Sequence, residues 1–495
     1  MGMMTFQLPA ELSADAVRDL ERACVAGGPD NMPWPTDLKR LDGKLTVRKA
    51  VDESGFFLAP WPVEQVGRLM TSSATLMERT TPYDLLTELA RGKVNQVRNQ
   101  AADWVAGGLQ MTHDLQKLIN SAASAFGRVV VQDSAAAAVL QASAALTLGF
   151  QTARQLVQTY VEQVFTVRQQ HGKLDTTLGC RLGTAPPPAP LAAELLRTCN
   201  ALVVPMSWNI VESDEATYRW VETDALVDWA VKQGVAVSAG PLIDFSSAQF
   251  PAWLWQWERD VPSMATFMCR FVESAVRRYR NRIRRWHLTA ASNWASILGL
   301  GEDELLGLTY RLVETARQVD PGLEFVIGVT QPWGEYMAQS DRTHSPFIFA
   351  DTLIRSGLNL AALDVEMVMG VTPRGSYCRD ALEASRLLDM YALLGVPLRV
   401  TLGYPSDDRA DVDADPEMRV DAGRWGDAFS VERQADWAAT FAALALCKPP
   451  VQGIQWTHFS DAEPHQYPHC GLVDAQGAVK PALAQLRTLR EQHLN

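Results

Sequence analysis

After His171 the chain alternates short apolar, β-branched runs with amphipathic stretches, eight times over about 320 residues. The preceding 170 residues lack that rhythm and carry first a strand-like and then a helical period. Together these observations predict an α/β protein: a (β/α)8 TIM barrel behind an N-terminal β-plus-helical accessory module.

Taken in order, residues 1–80 read as a small β-rich module, a candidate carbohydrate-binding unit. Lys44–Ala50 and Gly55–Pro60 read as strands of one hairpin, turned at Val51-Asp52-Glu53-Ser54, with a further strand over Leu69–Arg79. Residues 81–170 read as a helical arm. Thr81-Pro82-Tyr83-Asp84 places a proline at a helix start, apolar residues recur at helical spacing from Leu85 to Val105, and Gly107-Gly108 ends the run. Two more helices are expected over Met111–Phe126 and from Ser134 to about Gln170.

Residues 171–495 carry the eight barrel strands: Thr177–Arg181, Ala201–Trp208, Val235–Phe245, Trp286–Ala291, Glu324–Thr330, Ala362–Met369, Pro397–Gly403 and Gly453–Phe459. Helical runs such as Glu222–Gln233, Glu302–Val319 and Arg379–Leu394 lie between them. The proline-rich stretch 183–190 falls inside the first βα loop.

The net charge of −12 lies almost wholly beyond residue 170 and no basic run occurs, which argues against nucleic acid or an anionic membrane as a partner. Seven scattered cysteines form no Cys-x-x-Cys and read as buried thiols. Met-Gly-Met-Met-Thr-Phe-Gln has neither a charged n-region nor an apolar h-region, so a cytoplasmic location is expected. The Ala-rich run 135–150 is too short and polar to span a bilayer, and the helical arm is a candidate surface for self-association. Fifteen tryptophans suit either large cores or flat faces for stacking on sugars.

Several motifs in the barrel half resemble family 10 glycoside hydrolases, the xylanase family. Trp286 in Arg285-Trp286-His287-Leu288-Thr289-Ala290-Ala291 matches the Trp of the family's strand-four Trp-Asp-Val-Val-Asn-Glu. Trp208 follows strand two, and Phe250-Pro251-Ala252-Trp253 is similar to the family's Leu-Pro-x-Trp. Gly471-Leu472-Val473-Asp474 with Lys480-Pro481-Ala482 resembles its closing motif. The resemblance covers about residues 175–490. It implies a barrel that binds carbohydrate, yet Ala291 and Leu402 fall at the two catalytic glutamate positions. Ser207 replaces a sugar-binding lysine, and no histidine occurs among residues 241–246.

Glycoside hydrolysis needs two carboxyl groups flanking the bond, about 5–5.5 Å apart for retention and about 6.5–9.5 Å for inversion. In a barrel they should come from the C-terminal strand ends. Glu366, inside the apolar strand Leu363–Met369, is the candidate nucleophile or base, with a structural ion pair to Arg399 as the alternative. Glu335, after strand five, is the candidate acid, and Asp244, ending strand three, could replace either. Trp208, Trp333, Trp456 and Tyr404 are candidate stacking residues; Asn293, His458, Asp461 and Arg399 are candidate polar contacts. No metal or cofactor is expected, since His458, His465, His469 and Cys470 match no ligand spacing. The expected function is hydrolysis of an oligo- or polysaccharide other than plain xylan. The alternatives are a non-catalytic sugar-binding protein on the same scaffold and a scaffold protein built around the arm.

Overall fold

A computed structural model describes residues 2–495. Eight parallel strands close a barrel: Thr177–Arg181, Ala201–Val204, Ala236–Ala239 with a short continuation Ile243–Asp244, Arg285–Ala290, Glu324–Val329, Ala362–Val368, Leu398–Gly403 and Val451–Trp456. The eighth pairs back onto the first through Gly453↔Thr177 to Trp456↔Cys180, so no edge remains. Helices fill the crossovers, among them Val221–Lys232, Val261–Tyr279, Glu302–Val319, Ala381–Ala392 and Val431–Cys447.

Alternation along each strand divides its side chains between axis and helix layer. On strand six Leu363, Val365 and Met367 are fully buried in the main core, while Asp364 and Glu366 turn to the axis. There Asp364 accepts hydrogen bonds from Thr401 Oγ1 (2.7 Å) and Gln455 Nε2 (3.1 Å). The axis is thus packed with polar chains, and glycines make the room. A Cβ on Gly453 would lie 3.0 Å from Arg399 Nη1, and one on Gly328 2.7 Å from His287 Nε2.

The N-terminal strands form two sheets, and the expected hairpin between Lys44–Ala50 and Gly55–Pro60 does not form. Lys44–Lys49 pairs with Thr36–Leu41 and Gly2–Gln7. Gly55–Val63 pairs with Cys24–Gly27 and Gly67–Leu76 in the other sheet. The first hairpin turns instead at Asp42-Gly43, both at positive φ (50° and 70°), the backbone a two-residue hairpin loop favours. The second sheet gains its outer strand from the barrel: Arg424–Trp425, in the loop after strand seven, pairs with Gly67 and Arg68.

Three helices follow, Leu85–Ala106, His113–Val130 and Ala135–Arg168, each capped by a side chain that accepts from its first turn: Asp84, Thr112 and Ser134. The first starts at Leu85, three residues after Pro82, because Tyr83–Asp84 pairs with Phe6–Gln7. A buried ion pair, Lys93 Nζ to Asp380 Oδ2 at 2.5 Å, ties the arm to the barrel. Among the described residues no helix is long and apolar enough to cross a membrane, and all seven cysteines are free thiols.

Candidate active site

The C-terminal mouth of the barrel holds a cavity of about 380 Å³. Glu366 opens into it from strand six with 11% of its side chain exposed. Its carboxylate is met by donors. Tyr467 Oη donates to Oε1. Thr330 Oγ1 (2.5 Å) and Arg374 Nη2 (3.3 Å) donate to Oε2. Thr330, at the end of strand five, is itself clamped: Asn293 Nδ2 donates to its carbonyl (2.8 Å), and its N–H donates to Asn293 Oδ1 (3.0 Å). Asn293 therefore contacts Thr330 and does not line the cavity.

Asp244 reaches the same guanidinium. Arg374 Nη1 donates to its Oδ1 (2.6 Å) and Oδ2 (2.8 Å), and the Ser246 N–H donates at 3.2 Å. Burial alone would raise the Asp244 carboxyl, but Arg374, then Arg181 of strand one, outweigh it and hold it below the usual carboxylate range. Beneath, burial pushes Asp364 up, with Thr401 and Arg399 countering only part of it. His287, buried and near Arg181, is pushed down to about 4 and is neutral at pH 7. Arg399 pairs in register with Asp364 and donates to Gln455 Oε1 (3.4 Å); it lies below Glu366 and does not bond it.

The loop after strand seven supplies another acid. Asp415 lines the cavity, half-buried. Its N–H donates to the His465 carbonyl (2.9 Å). Its Oδ1 accepts from the Glu417 N–H (3.0 Å), and burial raises its carboxyl.

The remaining candidates scatter. Glu335 does not line the mouth: it accepts from the Tyr377 N–H (3.0 Å) and Arg379 Nη2 (2.8 Å), away from the cavity that Glu366 lines. Trp208 is core, stacked on Phe271 at 5.4 Å with Nε1 donating to Glu212 (2.6 Å). Tyr404 is sealed against Trp437 at 5.4 Å and accepts from the Trp425 N–H (2.7 Å). Trp333 lines a different cavity. Trp456 borders the mouth, but its Nε1 donates to the Cys470 carbonyl (2.6 Å) and its ring packs edge-on to Trp437. The expected wall of several tryptophans is replaced by polar chains, because large rings are better accommodated in the helix layer than on an axis crowded by Arg399 and His287.

His458 lines the mouth, stacked on His465 at 4.4 Å. Burial pushes it down to about 4 despite its 2.9 Å contact with Asp461. Burial would raise Asp461, but His458 and Lys480 (2.5 Å) hold it well below the carboxylate range. His458, Asp461 and His465 offer ligand atoms within 4.8 Å of one another. Most of those atoms are committed: the Gly471 N–H and the Lys480 ammonium occupy Asp461, His465 Nε2 meets Asp411 (3.1 Å) and His458 Nε2 meets Asp461, while the buried His458 Nδ1 has no partner. The Lys480 ammonium already supplies the positive charge a cation would bring.

Four residues of the mouth, Arg374, Tyr467, Thr330 and Asp415, are not among the candidates that the sequence suggests. Tyr467 sits in the same His-rich loop as His465 and His469, so that loop carried a signal for it. Arg374 and Asp415 lie in loops without periodicity.

Residues 186–290 match the family model for glycosyl hydrolase family 10. Over this stretch the barrel is similar to family 10. The matched segment runs from the first crossover helix to the end of strand four, and so includes Trp208, Asp244 and Phe250–Trp253 but not Glu366. Similar solved structures include xylanase 10B from Thermotoga maritima, at 14% identity and TM-score 0.48, covering 67% of this chain and 97% of that one. A GH10 protein from Paenibacillus barcinonensis matches at 16% identity and TM-score 0.47, over 63% and 94% of the two chains. An intracellular xylanase from Thermoanaerobacterium saccharolyticum matches at 16% and 0.47, over 66% and 97%.

Proposed function

We propose that this protein is a glycoside hydrolase acting on an oligo- or polysaccharide other than plain xylan, with its carboxylates on other strands than the family's. The observation that carries this reading is the pairing of Glu366 and Asp244 on one guanidinium at the barrel mouth. A buried cluster of two carboxylates and an arginine is expensive as mere structure. Its opening into a ligand-sized cavity supports a catalytic use.

Glu366, open to the cavity and held by donors, is the nucleophile or base. Asp244, ionised beside Arg374, stabilises positive charge developing on the sugar ring. Neither is placed to give a proton to the leaving oxygen. Asp415 takes that role: burial raises it, its Oδ1 is engaged by the Glu417 N–H, and it lines the same cavity. Glu335, outside the cavity, takes none.

The test is turnover of a panel of dinitrophenyl glycosides, with plain xylan beside it. We expect cleavage of at least one glycoside, xylan left intact, and a fall of roughly 10²–10⁴-fold in Glu366→Gln without loss of binding. Binding without turnover across the panel would instead make the protein a sugar-binding one.

A further inference from the structure

A second cavity, of about 400 Å³, lies where the three parts of the chain meet. The module's Phe56 and Ser72–Thr75 form one wall, and the arm helix presents Asn95 and Asn99. Trp333 of the strand-five loop and Arg386 of helix Ala381–Ala392 close the far side. The arm helix comes this near because Gly92 has no side chain: a Cβ there would lie 2.1 Å from the Ser72 carbonyl oxygen.

Its chemistry is uncharged on balance. Arg379 is matched by Glu335 (2.8 Å) and Arg386 by Glu383 (3.5 Å), and Asp30 accepts from Ser345 Oγ (2.5 Å). The uncommitted polar groups are amides, the Thr75 hydroxyl and the buried Arg379 Nε. Asn95 and Asn99 stand one helical turn apart on the same face. With Asn31 they line the space, and among the described residues none of the three side chains has a hydrogen-bond partner. Each amide offers two donors and an acceptor, the complement of vicinal hydroxyls. Phe56, half-buried, adds aromatic surface of the kind that packs on the C–H face of a pyranose, while Trp333, 8% exposed, carries the Arg379 guanidinium over its ring at 5.0 Å. A phosphate or carboxylate would meet the Glu335 and Glu383 carboxylates beside these arginines, with only the Arg379 Nε left without a partner.

We infer that this seam is a second carbohydrate-binding site, distinct from the barrel mouth, which takes a neutral oligosaccharide through Asn31, Asn95 and Asn99 against Phe56. It does not depend on the catalytic assignments. It also explains what the N-terminal part contributes, since the module and the arm helix complete a site that the barrel alone would leave open.

Calorimetric titration of the whole Glu366→Gln protein with xylohexaose, cellohexaose and mannohexaose tests this. At least one sugar should show two binding events per chain. Adding Asn95→Ala and Asn99→Ala should remove one event or weaken it at least tenfold. The same pair in the native background should leave dinitrophenyl glycoside turnover and melting temperature unchanged. A single event unaffected by the asparagine changes, or no binding of any hexasaccharide, overturns the inference; so does tighter binding of a hexose phosphate. If the native protein cleaves no glycoside while the asparagine-dependent event persists, the catalytic reading fails and this site stands.

Discussion

Asp244 and Glu366 stand on barrel strands three and six, and one side chain, Arg374, binds both: Nη1 takes Asp244 at 2.6 Å and Nη2 takes Glu366 at 3.3 Å. Arg374 is 2% exposed, so removing it would leave two buried carboxylates facing each other. Arg374→Met should destabilise the fold by about 3–5 kcal/mol, the scale for breaking a buried ion pair. Urea unfolding measures it; an unchanged midpoint would mean that water replaces the guanidinium.

Asp415→Asn separates the proton donor from the rest of the machinery. Turnover of glycosides with poor leaving groups should fall roughly 10²–10⁴-fold, while dinitrophenyl glycosides, whose leaving group needs no proton, should be far less affected. A raised carboxyl donates while protonated, so native activity should decline as pH rises through its pKa, and that alkaline limb should vanish in the variant. If the wild type cleaves the panel and Asp415→Asn keeps both the limb and the rate, another group donates.

Asn293→Ala should act on rate rather than affinity. It strips the Thr330 N–H and carbonyl of their partners, at a cost of about 1–3 kcal/mol, and loosens the hydroxyl that holds Glu366. We expect a lower kcat with KM nearly unchanged, and partial recovery in Asn293→Asp, which keeps an acceptor. A change confined to KM would place Asn293 in sugar contact instead.

Acid should weaken the fold through its buried histidines. His287 and His458 fall to about 4 in the folded protein, against about 6.5 in an unfolded chain. Between those values the unfolded state binds more protons, so the stability due to neutral burial is complete above about pH 6.5 and is lost as pH falls toward 4. Asp461, held below its unfolded value, adds a loss at still lower pH. The urea midpoint should climb from pH 4 to 6.5 and then level off; a flat profile would rule this out.

The barrel was legible because its signal is periodic. Buried parallel strands are apolar throughout, and all eight candidates overlap observed strands. Glu366 was legible for a related reason, as a charge in an apolar strand must face something polar. Its companions were not. Arg374 and Asp415 belong to loops whose course is set by tertiary contacts, such as the Ala414↔His465 bridge, that leave no local pattern. The aromatic residues misled because burial and stacking on a sugar call for the same residue types: Trp208 and Tyr404 went to the core. The hairpin expectation failed on a turn. Asp42-Gly43 carried the stronger signal, and Val51–Ser54 is a crossing between sheets.

The strand Arg424–Trp425, which closes the edge of the module's second sheet, bears on how the chain is made. A ribosome delivers Gly67 and Arg68 long before it delivers their partner, more than 350 residues later. Until then the sheet has an open edge, and Lys93 waits for Asp380. The N-terminal part therefore cannot finish folding during synthesis as an independent unit, and the nascent chain must be kept from pairing that edge with its neighbours. Emergence of Arg424–Trp425, rather than of the first 170 residues, should mark the moment at which the module becomes resistant to protease.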